Sequence, residues 1–157
     1  MKTFLNYKLD ILSVAAKREA DEIYLRECEL DVNHLRLLRL IHYNPGIGPS
    51  ELADKARLDR PKTSRMLTRL TDKGFVEKCL TEGDGRQVRL KMSDKGQALV
   101  TKANDMAMAL ERALLTPLTE SQQANLSDWL DKLTEWVESG GLARSYGLTN
   151  SDQELDS

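Results

Sequence analysis

Aromatic residues make up only 5% of this 157-residue chain. The two tryptophans, Trp129 and Trp136, lie seven apart on one apolar helix face, so they read as packing residues and not as a cofactor cage. Cysteine is also rare. Cys28 and Cys79 are far apart and match neither a metal-binding spacing nor a disulfide framework, which fits a reducing compartment. No run of about eighteen apolar residues occurs, and Lys8 and Asp10 interrupt the first apolar stretch before it reaches signal-peptide length. The expectation is a soluble, cytoplasmic protein with no membrane partner.

Catalytic patterns are missing as well. The chain has no glycine-rich phosphate loop, no Ser/His/Asp arrangement within a motif and no zinc-hydrolase spacing. His34 and His42 lie eight apart on one predicted helix, about 80° apart around its axis, and no cysteine or acidic cluster completes a metal set. The reading is therefore of a protein that is not an enzyme and uses no cofactor and no metal. No internal repeat is visible.

Hydrophobic residues make up 40% of the chain, enough for a buried core, and the length suits one domain or two small interlocked ones. Lys and Arg number 23 against 25 Asp and Glu, a net charge of −2. That bulk value gives no hint of nucleic acid, so such a role must show in how the charge is distributed.

Leu5, Leu9, Leu12, Ala16, Ala20 and Ile23 recur at spacings of three and four, which predicts an amphipathic helix over 3–28. Asp31 can cap a second helix through Leu35, Leu38 and Ile41, ended by Asn44-Pro45-Gly46. A third runs from Pro49 to Ala56 with Ser50 as its expected cap. A fourth begins near Arg60-Pro61 and stops at Gly74, with Met66, Leu67 and Leu70 facing the core and Lys62, Arg65 and Arg69 facing away. The period then changes to two. Phe75–Leu80 and Val88–Met92 read as strands joined by a turn at Thr81–Gly85. A long helix follows from Ser93-Asp94 to near Pro117, then a capping box at Thr119–Gln122 and a last helix up to Gly140-Gly141.

Charge divides unevenly among these elements. Between Arg60 and Lys91 there are nine basic residues and four acidic ones, so this stretch carries +5 and the rest of the chain −7. Two short helices, the second basic and carrying Thr63 and Ser64, followed by a basic hairpin, have the order of a winged helix-turn-helix. A helix fits the major groove of DNA, where Arg, Ser and Thr meet base edges and phosphates, and a hairpin arginine can reach the minor groove alongside. For one basic helix alone, a solvated face would be the simpler reading; helix, spacing and hairpin coinciding favour DNA. The fold class is thus mainly α with a small β-hairpin wing (α+β), with flanking dimerisation helices. Residues 1–45 and 96–141 are assigned to helical dimerisation, 46–95 to DNA binding and 142–157 to a flexible tail.

Glu51-Leu52-Ala53, Thr63-Ser64-Arg65 with Leu70, Lys73-Gly74-Phe75-Val76, Asp84-x-Arg86 and Met92-Ser93-x-x-Gly96 occur in that order, and together they resemble the MarR family of bacterial transcriptional regulators over roughly residues 5–138. The resemblance implies a homodimeric repressor of a palindromic operator in double-stranded DNA, released by a small-molecule effector. It also implies that Asp84 shapes the wing and that Arg86 approaches the minor groove. Two positions depart from the family: Gly85 stands where a second arginine is common, and Met92-Ser93 replaces the usual Leu-Thr. The expected DNA-binding residues are Arg60, Lys62, Thr63, Ser64, Arg65, Arg69 and Arg86; ligand-binding residues are unknown.

Dimerisation has its own argument. The first helix and the last two carry long apolar stripes that a cassette of about fifty residues does not cover in full, and two-fold pairing would set two reader helices about 34 Å apart. Two alternatives stay open. One is a winged-helix protein-interaction module without DNA binding, favoured by the net negative charge and Gly85. The other is a thiol-based oxidant sensor on the same scaffold, using Cys28 or Cys79.

Overall fold

The computed structural model describes residues 4–80 and 87–147. Seven helices and two strands are described: α1 (Leu5–Cys28), α2 (Val32–Tyr43), α3 (Pro49–Ala56), α4 (Arg60–Asp72), β1 (Val76–Leu80), β2 (Val88–Met92), α5 (Asp94–Leu115), α6 (Glu120–Glu138) and α7 (Gly141–Ser145). The chain divides into two compact units, Met1–Arg112 and Ala113–Ser157.

In the first unit α2 is the central element. Two carboxylates start it: Asp31 accepts the His34 N–H at 2.9 Å, and Asp21 of α1 accepts the Val32 N–H at 2.7 Å. The cap predicted at Asp31 is thus realised. Its side chains at helical spacing, Leu35, Leu38 and Ile41 with Leu37, are buried against Leu52, Leu67, Leu70, Leu90 and Val100. Each such side chain taken from water stabilises the fold by roughly 1.5–3 kcal/mol. α1 joins this core only through its second half, where Tyr24 and Cys28 are buried; residues 4–15 are exposed.

Helix starts follow local chemistry, with one correction. Ser50 does not cap α3: Gly48, in extended backbone, takes that place, and Pro49 fills the first turn, where a missing N–H costs nothing. Asp59 caps α4 by accepting the Lys62 N–H at 2.7 Å. Gly74, just beyond the end of α4, has φ +73°, the left-handed region a glycine tolerates.

The strands pair antiparallel, with Val76 opposite Met92, Lys78 opposite Leu90 and Leu80 opposite Val88. β1 starts one residue later than predicted, although Phe75 is buried. Backbone bonds from Gly46 N to Leu90 O and from Leu90 N to Ile47 O, each 3.1 Å, fasten β2 to the α2–α3 connection. The turn at Thr81–Gly85, together with Arg86, lies outside the described residues. Ser93 opens α5: its hydroxyl accepts the Gly96 N–H at 3.0 Å and donates to the Gly74 carbonyl at 2.7 Å.

In the second unit the capping box is present, with Thr119 and Gln122 bonding each other's backbone at 2.9 and 3.3 Å. None of the residues of α6 is buried. A short helix, α7, occupies the start of the stretch expected to be a tail. There Gly141 tucks under the Trp136 ring, where any Cβ would collide, and the Arg144 guanidinium lies 5.8 Å from the ring centre. Residues 148–157 lie outside the described residues. Among those described, no helix is long and apolar enough to cross a membrane.

Candidate nucleic-acid interface

α4 separates its side chains by face. Thr63, Met66, Leu67 and Leu70 point into the core, while Arg60, Ser64, Arg65, Thr68 and Arg69 are exposed and Lys62 is half-buried. The buried spacing of three and four residues fixes the helix's rotation about its axis, so the open face follows from the core face. The side chains of Arg60 and Arg65 make no hydrogen bond or ion pair among the described residues, and their guanidinium groups stand open to solvent.

Thr63 is placed differently from expectation. It is 2% exposed and its Oγ1 has no hydrogen-bond partner among the described residues. The sequence pattern placed it with Ser64 because both are small hydroxyl residues, but a 100° step per residue sends one inward and the other out. Arg69 is exposed yet engaged, donating from Nη2 to the Glu29 carbonyl at 3.3 Å. Asp84 and Arg86 lie outside the described residues.

The first turns of α3 and α4 meet the hairpin at a half-open cleft of about 250 Å³. Ser50, Arg60, Thr63, Ser64, Lys78 and Val88 are among the residues that line it. Two helix N-termini and two cations here favour negative charge, the condition a DNA phosphate needs. Sequence reasoning did not single out Ser50 or Lys78 for this site. Lys78 did figure in the local basic excess, and Ser50 in the first turn of α3, so both signals were present without a geometry to join them. Arg89 braces the wing, donating to the Gly46 carbonyl at 3.3 Å and to Gln87 Oε1 at 3.1 Å.

The histidines serve structure. His34 is buried, with Nδ1 2.9 Å from Asp31 Oδ1 but off the line of a hydrogen bond. His42 Nδ1 lies 2.9 Å from Gln97 Oε1. Among the described residues no cluster of three metal-ligating side chains occurs. Cys28 is buried with its sulfur 3.8 Å from Met106 Sδ, and burial pushes its thiol up, disfavouring the reactive thiolate. Cys79 is exposed on β1.

Comparison with known proteins agrees with this geometry. The MarR family model matches residues 30–88. The transcriptional regulator BilQ of Clostridium symbiosum is 30% identical over 102 residues, covering 63% of this chain and 71% of BilQ. PecS of Dickeya dadantii, also a transcriptional regulator, is 26% identical over 129 residues, or 80% of this chain and 76% of PecS. Apo MarR from E. coli superposes with a TM-score of 0.75 at 26% identity, over 85% of this chain and 98% of that one. A cysteine-to-serine mutant of the same protein, complexed with operator DNA, gives 0.74 at 27% identity, over 82% of this chain and 92% of that one. The matched stretch carries α2, α3, α4 and β1, and the chain belongs to the MarR family of winged helix-turn-helix regulators, which are not enzymes.

Proposed function

We propose that this protein binds a palindromic operator in duplex DNA as a homodimer, represses neighbouring genes and is released by a small-molecule effector. The observation that carries the reading is the open face of α4, where Arg60 and Arg65 lack partners among the described residues and stand beside a basic hairpin. On this reading Arg60, Lys62, Ser64 and Arg65 serve the major groove and its phosphates, and Thr63 contributes by packing the reader helix. Arg86 serves the wing, shaped by Asp84. Residues 46–95 form the DNA-binding region and 1–45 with 96–141 the dimerisation region, and the site of action is the cytoplasm, with the genome.

Exposed apolar side chains support pairing. Phe4, Leu5 and Leu12 on or beside α1 and Trp129, Leu133 and Trp136 on α6 are each at least 46% exposed. Faces of this kind mark association surfaces. Release by an effector requires that the ligand prefer a geometry in which the two reader helices no longer fit the groove.

Salt dependence tests the DNA reading. Affinity for a random duplex should fall steeply with salt, with a log–log slope of about −0.9 per phosphate neutralised. Flat binding, or none, would instead favour the protein-interaction module. Arg65→Ala should cost about 1–3 kcal/mol on a duplex selected from genomic fragments and flatten discrimination; equal loss on every sequence would reassign Arg65 to a phosphate.

A further inference from the structure

The carboxyl ends of α1 and α4 lie together. Glu29, in the left-handed region at φ 57°, caps α1, and Lys73 caps α4. Lys73 Nζ sits 2.6 Å from Glu29 Oε2, and Arg69, in the last turn of α4, donates to the Glu29 carbonyl at 3.3 Å. From α5, Lys95 donates to the Lys73 carbonyl at 2.8 Å, and Lys102 donates to the Glu27 carbonyl at 2.6 Å. Each helix C-terminus presents unsatisfied carbonyls and about half a negative charge, so two of them side by side repel unless cations intervene. Here cations do intervene. Their effect is visible on Glu29, whose carboxyl is held below its usual range by the Lys73 hydrogen bond first, then by the charges of Lys73, Lys95 and Arg69.

This arrangement gives Arg69 a task other than the one its sequence position suggested. Arg60 and Arg65 stand open, whereas Arg69 reaches back to α1. We propose that Glu29 is a positioning residue for DNA recognition: with Arg69 and Lys73 it clamps the trailing end of the reader helix to the end of α1. An exposed ion pair adds little to stability, so the clamp acts on orientation. α4 spans 13 residues, about 20 Å, and a swing at its trailing end is carried along the rod to Arg60 and Arg65. Asp59 caps the first turn of α4 from within its own segment, and the clamp ties the other end to α1.

The inference rests on the DNA-binding reading, and charge gives it a sharp test. Removing an acid near a DNA-binding face should, by electrostatics alone, tighten binding to every duplex. Loss of positioning instead lowers the preference for the right one. The probes are a duplex selected from genomic fragments by the wild-type protein and a random duplex of equal length, each measured by anisotropy at two salt concentrations. Glu29→Gln should reduce preference for the selected duplex about fivefold, the low end of coupling effects, with random-duplex affinity equal or higher and the melting temperature unchanged. Reversing the pair, Glu29→Lys with Lys73→Glu, should recover preference relative to Glu29→Lys alone. Arg69→Ala should lower preference and leave the salt slope as it was; a slope smaller in magnitude by about 0.9 would make Arg69 a phosphate contact and overturn its inward role. Equal tightening on both duplexes by Glu29→Gln, or a reversed pair no better than the single change, would also overturn the clamp. If the wild type shows no salt-dependent binding to any duplex, the DNA reading has failed and the clamp with it. If the wild type discriminates and Glu29→Gln keeps that preference, the clamp alone has failed.

Discussion

At Gly96, a Cβ would overlap the Phe75 carbonyl and the Met92 sulfur, because α5 enters hard against the base of the hairpin. Gly96→Ala should therefore destabilise the protein by about 1–3 kcal/mol in urea unfolding, the cost of forcing extra volume into a packed junction. The sequence marked Gly96 as part of a motif, but the close approach that requires it lies between residues about twenty apart. Thr63 makes the opposite case. With its hydroxyl buried and unpartnered, Thr63→Val should leave stability equal or raise it by about 1 kcal/mol and leave operator discrimination intact, measured by melting and by anisotropy. A large loss of discrimination would mean the hydroxyl turns outward to the groove. Asp31 carries a pH dependence. Burial pushes its carboxyl up, but the hydrogen bond from the His34 backbone N–H and the charge of the nearby His34 ring together outweigh burial and hold it below the usual value. Its folded pKa lies below the unfolded one, so its contribution is present above the unfolded value, about pH 4, and is lost as pH falls through the folded value. Asp31→Asn should flatten that acid limb when denaturant stability is compared across pH 3–7.

Among the elements, those whose start or stop depends on neighbouring residues were legible. Asp31 and Thr119 cap the helices they precede, and Asn44 and Gly74 end theirs, while the Asp59 cap of α4 came to light only in the structure. Each cap acts over about four residues, within reach of a local reading. Asp59→Ala should cost about 1 kcal/mol in thermal or denaturant unfolding, and it should weaken DNA binding through the fraying turn that carries Arg60 and Lys62. Two features escaped. At α3, proline and glycine together outcompete Ser50 for the cap, a choice that depends on backbone geometry as well as residue type. α7 is five residues long, too short to announce itself by period, and its first residue, Gly141, lies against Trp136.

For the molecule as a whole, apolar surface is the unsolved term in a single chain. Leu130 is 39% exposed on an α6 that buries nothing of its own, and the stripe continues through Leu133 and Val137. If the helix pairs with a second copy, Leu130→Asp should lower the sedimentation mass to that of one chain, 17.8 kDa, and weaken operator binding with it. An unaltered mass would remove α6 from the interface. The two cysteines bear on regulation at this scale. Cys28→Ser with Cys79→Ser should leave operator binding and its response to peroxide unchanged if the protein does not sense oxidants through its thiols.

By itself the sequence determined the order and type of the elements from α1 to α6 and the concentration of positive charge between Arg60 and Lys91, inside a chain whose total is −2. Periodicity, capping and charge are local quantities, and a linear reading can sum them. Tertiary structure decided which of the marked side chains are available. Thr63 went into the core, Arg69 turned back to Glu29, Arg89 braced Gly46, and Ser50 and Lys78 joined the cleft with Arg60. Those outcomes depend on the angle at which α4 packs and on what lies across the fold from each side chain. Helical phase sets the first, and the second is set by partners about 40 residues distant, which no window along the chain contains.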